Sequence, residues 1–473
     1  MRIVFPRPRI SKSACGVSAF AVAFLLGLPA AGADQPRSSY AEAGERIRKA
    51  GLMDERAFEF LSRITAVGPR LTGSLEAARA VEVTQGMMAE MGLDNIHLEP
   101  VTVNRWVRGA REEAEIVRSS SLGTVPLHVC ALGGSIGTPD SGITAPVVEV
   151  KSFEELDRLG PAVRGKIVFF NRPMDRSQLE PFAAYGGAAD QRVRGAVQAA
   201  RHGGLAALVR SLTFRVDNFP HTGLMTYEEG IPRIPAAAVS TSDADALSAL
   251  LKKDGAVSVR LKMSCRSLGT VETANVVGEL AGTDRPGEII LMGGHLDSWD
   301  LGTGAHDDGA GCAASLEALR LIKALGFRPK RTIRVVMFMD EEFGGTGGRY
   351  YVKNARRKHE KHILAMESDR GGFVPVGLAA GRSEGGLLER LRALGDIFTP
   401  LGITRFSPGG GGVDVGPLIE EGAVPAAVIP NAQTYFDVHH SALDVLDRVH
   451  PRELELQAIV MAILALIVAE EGV

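Results

Sequence analysis

Five short segments of the 473-residue chain carry imidazoles and carboxylates in the combinations that a catalytic metal ion takes. They are His295-Leu296-Asp297, Asp307-Asp308-Gly309, Glu341-Glu342, Glu367-Ser368-Asp369 and His439-His440-Ser441, with Asp444 close behind. Imidazole nitrogen and carboxylate oxygen are the donors of catalytic zinc, which keeps a position open for water or substrate. Asp297, two residues after His295, is placed to accept the second ring N–H of that histidine and so fix its tautomer. Asp307 suits the bridge of a two-metal centre, where one carboxylate offers an oxygen to each of two ions about 3.5–4 Å apart. Asp308, beside Gly309 at the start of a helical pattern, also suits a helix cap. Glu341 and Glu342 point in different directions where a strand ends, so that one can bind metal while the other takes a proton from water. Glu367-Ser368-Asp369 offers a further carboxylate, and either His439 or His440 the closing imidazole. Together these groups describe metal-assisted hydrolysis.

Groups so far apart in sequence need a sheet to bring them together. Apolar runs over 288–292, 332–339, 362–366 and 423–429 read as buried strands, and helical patterns over 310–325, 347–357 and 387–398 lie between them. The pattern predicts an α/β fold with a mixed central sheet and helices on both faces. Open sheets of this kind carry their sites at the carboxyl ends of strands, where His295 and Glu341-Glu342 fall. Residues 40–93 read as helices broken by Gly68-Pro69-Arg70-Leu71-Thr72-Gly73-Ser74, and 96–150 as short strands and turns. The middle of the chain alternates apolar runs with helix-like pieces, which predicts a smaller inserted module. The division is therefore 40–126 with 266–473 as one body and 127–265 as the insert. Segments 181–187 and 214–225 read as loops that shape substrate preference. The run 458–469 holds twelve residues without a charge; a membrane span needs about 20, so it reads as the last helix of the larger body.

A formal net charge of −3, from 53 basic and 56 acidic residues, provides no field that would gather nucleic acid or an anionic membrane. Hydrophobic content of 45% and charged content of 23% are those of a folded globular chain. Arg2, Arg7, Arg9 and Lys12, an uncharged run from Ser13, and Ala31-Gly32-Ala33 have the layout of a secretory signal peptide over 1–33. The expectation is an exported protein, periplasmic or secreted, free of the membrane once cleaved. Cys15 would leave with that segment. Cys130, Cys265 and Cys312 are too few for a disulfide framework, although one bridge is allowed.

From about Glu45 onward the chain resembles the zinc exopeptidases of peptidase family M28. The resemblance rests on Gly294-His295-Leu296-Asp297-Ser298-Trp299-Asp300, Asp307-Asp308-Gly309, Arg328-Pro329-Lys330-Arg331-Thr332, Glu341-Glu342, Met366-Glu367-Ser368-Asp369 and His439-His440-Ser441, in this order. It implies the zinc exopeptidase fold, and Gly165-Lys166-Ile167-Val168 with Ile234-Pro235-Ala236-Ala237 resembles the protease-associated β-rich insert of part of the family. It further implies two Zn2+ per chain held by His295, Asp307, Glu342, Asp369 and His440, with Asp307 bridging, Glu341 as general base and a cis peptide bond after Asp307. The implied substrate is a dipeptide or short peptide with a free N-terminus, and a homodimer is implied by resemblance alone. An aminopeptidase of longer peptides is the alternative; a non-catalytic, receptor-like binding protein is a third reading, against which the filled ligand positions weigh. Relatives read His-Ser-His-Gly-Asp where this chain has His440-Ser441-Ala442-Leu443-Asp444, and the run Gly409 to Gly412 is unusually rich in glycine.

Overall fold

The computed structural model describes residues 35–119 and 123–473; the signal peptide read over 1–33, with Cys15, lies outside the described residues. Two mixed sheets of eight strands each organise the chain. In the larger, Arg331–Phe338, Arg285–His295, Lys361–Glu367 and Val424–Pro430 run parallel in that order. Asp94–Val107 and Arg266–Leu280 extend the sheet antiparallel on one side, and Pro375–Ala380 with Arg405–Ser407 completes it on the other.

Alternation along the strands explains the layers. Ile290 and Met292 share one hydrophobic cluster with Ile333, Val335 and Met337 and with helices Ala310–Ala324 and Pro451–Glu471. Leu291, Val336 and Phe338 point to the opposite cluster with Tyr351 and Val352 of helix Thr346–Lys358. Each of the eight residues of Arg331–Phe338 is buried, as a strand covered on both faces must be. Residues 458–469 are all buried within Pro451–Glu471, and among the described residues no helix is long and apolar enough to cross a membrane. The N-terminal helices Gln35–Asp54 and Arg56–Thr65 pack back on this helical layer.

Several boundaries differ from the sequence reading. Residues 94–107 form one 14-residue strand, not short segments; Pro100 is tolerated because the strand lies at the sheet edge, where one row of backbone groups needs no partner. The second sheet starts at Glu113–Arg118 and ends at Ser258–Lys262, so the smaller unit begins ahead of residue 127. Its sheet is backed by helices Phe153–Leu159, Pro181–Arg201 and Thr241–Lys253. Segment 181–187, read as a loop, is the start of a 21-residue helix with Pro181 in its first turn, where proline's missing N–H costs nothing. The helix expected over 387–398 is broken into Gly386–Ala393 and Gly395–Phe398. Cys130, Cys265 and Cys312 are buried and unbridged.

One buried carboxyl ties the two ends of this helical layer. Glu455 Oε2 accepts a hydrogen bond from the Ala57 backbone at 3.1 Å. Burial first, then the neighbouring Glu317 charge, pushes Glu455 up to about 8. A carboxyl raised on folding contributes stability that is fully present below its unfolded pKa, about 4.3, and lost as pH rises through the folded value. Glu455→Gln should therefore gain stability over the native chain from pH 5 up to about pH 8 and level off above it. Denaturant midpoints measured across that range check this, and a constant difference between the two chains would contradict it.

Candidate metal centre

His295 ends the central strand Arg285–His295 and is 1% exposed. Its Nε2 lies 3.3 Å from Asp307 Oδ1 and 3.6 Å from Asp369 Oδ1. The other oxygen of Asp307, Oδ2, lies 3.1 Å from His440 Nε2, which in turn stands 3.2 Å from Glu342 Oε2. Asp307 thus faces two groups at once, His295 with Asp369 on one side and His440 with Glu342 on the other. The peptide bond between Asp307 and Asp308 is cis. Glu341 and Glu342 follow the adjacent strand Arg331–Phe338, and Glu341 shares the wall of a cavity of about 380 Å³ with Asp307, Glu342, Asp369 and His440.

The donor set fits a cation. Among the described residues, His295 Nε2, Asp307 Oδ2 and Glu342 Oε1 are buried without a hydrogen-bond partner, although their neighbours are near enough to share an ion. One ligand atom each from His295, Asp307 and Glu342 falls within 4.8 Å of the others. Burial alone would lower the His295 imidazole, but Asp307 and Asp369 hold it well above its ordinary range; Glu342 and Asp307 do the same to His440. Against the upward push of burial, His295 and His440 hold the Asp307 carboxyl well below the usual carboxylate range. The site therefore attracts positive charge, which protons or a metal ion can satisfy. Glu341 is pushed up by burial and by the charges of Asp369 and Glu342, as befits a carboxyl that both takes and returns a proton.

Between the two candidate imidazoles, His440 makes the approaches to both Asp307 and Glu342. His439 Nε2 stands 3.5 Å from Asp307 Oδ2, and its ring stacks on His440 with centroids 3.5 Å apart. Asp308 acts as a brace: Oδ2 accepts the His295 N–H at 3.1 Å and Oδ1 the Gly311 N–H at 3.0 Å, at the start of helix Ala310–Ala324. A side chain at Gly311 would collide with the Ser368 carbonyl and the Asp308 carboxylate, so this close packing requires glycine.

Asp297 does not act as expected. The His295 Nδ1–H is taken by the Asp297 backbone carbonyl at 3.0 Å, while the nearer Asp297 carboxylate oxygen stands 3.9 Å from that nitrogen. The carboxylate instead accepts the backbone N–H groups of Asp340, Glu341 and Glu342 at 2.8, 3.1 and 3.3 Å, and the Thr72 hydroxyl at 2.7 Å. It fixes the turn that presents Glu341 and Glu342.

Several other side chains support the centre from outside. Arg70, fully buried, donates to the carbonyls of Leu296, Thr303 and Gly304 at 2.6, 2.5 and 2.9 Å. Asp444 accepts the N–H groups of His306 and Asp307 at 2.7 and 3.1 Å, and burial with the nearby Asp307 charge pushes its carboxyl up to about 7. Glu367 turns away from the centre to accept from Asp414 and Val415 at 3.0 and 3.1 Å. The smaller unit also reaches in: His440 Nδ1 lies 3.3 Å from the Thr222 carbonyl, Thr222 N–H donates to the His440 carbonyl at 2.9 Å, and His221 Nδ1 lies 2.6 Å from the His439 carbonyl. Asp444 and Glu367 were legible as acidic residues beside the candidate ligands; Arg70, His221 and Thr222 sit in loops whose shape sets their role.

A mixed α/β sheet whose strand ends and adjoining segments bring together two histidines, three carboxylates and the Glu341 carboxyl defines a metal-dependent hydrolase. Residues 275–466 match the profile of Peptidase family M28. The chain is 38% identical over 423 residues to carboxypeptidase Q of Bos taurus, covering 89% of this chain and 86% of that one, and 37% identical to the Homo sapiens protein over the same shares. The crystal structure of a peptidase M28 precursor from Shewanella amazonensis SB2B superposes with a TM-score of 0.87 at 35% identity, over 92% of this chain and 98% of that one. BSAP, a zinc aminopeptidase from Bacillus subtilis, shares the fold with a TM-score of 0.62 at 20% identity, over 87% and 94% of the two chains. The chain belongs to peptidase family M28 and is a peptidase.

Removing the Asp297 carboxylate should release the Glu341-Glu342 turn. Outer supports of this kind are worth about 10- to 100-fold in metal affinity or activity, so Asp297→Ala should lose that much in either. Zinc titration of the metal-free protein, with circular dichroism to verify folding, checks the expectation; unchanged affinity and turnover would refute it.

Proposed function

We propose that the protein is an exported dinuclear-zinc metallopeptidase that hydrolyses dipeptides or short peptides. The observation that carries this reading is the placement of Asp307, with one oxygen toward His295 and Asp369 and the other toward His440 and Glu342, beside a cavity that also exposes Glu341. Support for zinc comes from the imidazole and carboxylate donors, and support for small peptides from the likeness to carboxypeptidase Q over most of both chains. Export rests on the signal-like pattern of residues 1–33.

In this reading His295 and Asp369 would hold one ion and Glu342 and His440 the other, with Asp307 available to both. Zinc, when bound, supplies Lewis acidity, which polarises the scissile carbonyl and makes water a nucleophile near neutral pH. Glu341 takes the proton of the attacking water on its carboxylate and returns it to the nitrogen of the departing amine. Thr222 holds the His440 tautomer from outside through its carbonyl, as the Asp297 carbonyl does for His295, leaving each Nε2 free to bind.

Elemental analysis of protein purified without chelator, paired with a panel of unblocked dipeptides, tests the reading. About two zinc per chain and cleavage lost on chelation are expected; protein that holds no metal and stays inactive when zinc is restored would sink it. Glu341→Gln should keep its zinc and lose turnover by at least about 100-fold, the scale of general-base catalysis. Near-normal turnover in that variant would rule out Glu341 as the base.

A further inference from the structure

The two imidazoles of the candidate centre are oriented from different units. His295 Nδ1–H donates to the Asp297 carbonyl two residues on, inside the larger body. His440 Nδ1–H donates instead to the Thr222 carbonyl at 3.3 Å, 218 residues away in the smaller unit. The same short segment grips the backbone of the histidine pair twice more. Thr222 N–H donates to the His440 carbonyl at 2.9 Å, and His221 Nδ1 lies 2.6 Å from the His439 carbonyl. A carbonyl can only accept, so His221 carries its proton on Nδ1. Burial pushes this imidazole down to about 4, which keeps it neutral. Its Nε2, buried with no hydrogen-bond partner among the described residues, therefore has no proton to leave unsatisfied. His221 is 2% exposed and stands outside the wall of the cavity, so it acts only on what it holds.

Residues 221–222 are fastened to the smaller unit and move with it. The His221 N–H donates to Ser211 Oγ at 2.9 Å, and Thr222 Oγ1 donates to the Ala131 carbonyl at 2.8 Å. The Gly223 carbonyl then accepts from Gly133 at 3.0 Å, and Met225 N–H donates to the Gly133 carbonyl at 2.9 Å. The other ligand-bearing segments are held from within the larger body. Asp308 accepts the His295 N–H, Asp444 the Asp307 N–H, and Asp297 those of residues 340–342, while Ser368 N–H, beside Asp369, donates to the Gly293 carbonyl at 3.0 Å. The position between His295 and Asp369 is thus assembled by one unit. The position between Glu342 and His440 takes the tautomer of its ring, and the placement of that ring's backbone, from the neighbouring unit.

We infer that His221 is a positioning residue through which the smaller unit controls metal binding at the Glu342–His440 position, so that affinity there depends on the seating of that unit while affinity at the His295–Asp369 position does not. This inference rests on the dinuclear reading above. Outer hydrogen bonds to a ligand ring are worth about 10- to 100-fold in metal affinity, enough to separate two positions that share Asp307. A smaller unit that shifts away would leave one ion bound and release the other.

Zinc titration of the metal-free protein by calorimetry, with circular dichroism to verify folding, tests the inference in variants of His221. His221→Phe keeps the bulk of the ring and removes the donor. His221→Asn places an amide N–H where Nδ1 stood, and His221→Gln places one where Nε2 stood. The native protein should bind two ions per chain. In His221→Phe and His221→Gln one of the two should weaken by about 10- to 100-fold with the other unchanged, and His221→Asn should stay near native. Coupling identifies the position: with His440→Ala already present, His221→Phe should cause no further loss, whereas with His295→Ala present it should cause its full loss. Weakening of both positions alike, or of neither, would overturn the inference. So would a His221→Asn variant as weak as His221→Phe, or a full further loss in the His440→Ala background. Should His221→Phe fail to fold, the asparagine and glutamine variants decide. Native protein that binds fewer than two ions overturns the dinuclear reading itself and this inference with it, an outcome distinct from two ions bound without regard to His221.

Discussion

Asp307, Glu342 and Asp369 put three carboxylates side by side where little water can reach them, and the structure around them is arranged to withstand that repulsion. Removing like charges from water is expensive unless opposite charge compensates, so a site of this kind would spread apart if its backbone were free to move. It is not free. Asp444 grips the amides of His306 and Asp307, Asp297 those of residues 340–342, and Asp308 joins the His295 strand to the helix start. Arg70 fastens the loop after His295 through three carbonyls. The carboxylates that hold the frame are thus as numerous as those that face the cation, and each is satisfied by backbone N–H groups.

The smaller unit is part of this frame. Its His221-Thr222 segment exchanges hydrogen bonds with the backbone and ring of the histidine pair, and its helix Pro181–Arg201 brings Phe182 and Tyr185 against Tyr435, Phe436 and His439. At the crossing between units, partly buried Arg108 is forked to Asp300, with nitrogen–oxygen distances of 2.6–3.0 Å, and also donates to Glu112 and the Ala131 carbonyl. Asp300 belongs to the loop that follows His295, so the same segment supplies a candidate ligand and anchors the neighbouring unit. One unit carries the reacting groups; the other closes the cavity over them and sets one ring's orientation.

The strand ends were legible in the sequence because the signal is local: a run such as Val335-Val336-Met337-Phe338-Met339 followed by Asp340-Glu341-Glu342 states both the strand and its polar exit. The segments that carry the candidate ligands followed from that and Asp307 from its two oxygens, while the choice of Glu342, Asp369 and His440 rested on the family resemblance. The Asp297 carboxylate was misread because its partners are three successive amides of a turn in which Asp340 has φ 79°, a conformation that spacing does not disclose. Helix Pro181–Arg201 was hidden by Gly186-Gly187, which weaken helical preference and are outweighed by packing of the aromatic face. Arg70 read as part of a break because a lone arginine among glycine and proline carries no pattern; its three acceptors lie more than 220 residues away.

The bond between Ala57 and Glu455 joins residues 398 apart, in a core where the first helices of the described chain pack on Pro451–Glu471. The larger body therefore cannot close its core until Pro451–Glu471, nearly 400 residues beyond the first helices, has been made. The smaller unit lies within residues 113–262 and contains its own sheet and an apolar cluster built from its own residues, so it can form while the rest is still being made. The part that covers the site can thus take shape before the part that carries the chemistry, which waits on a helix far along the chain.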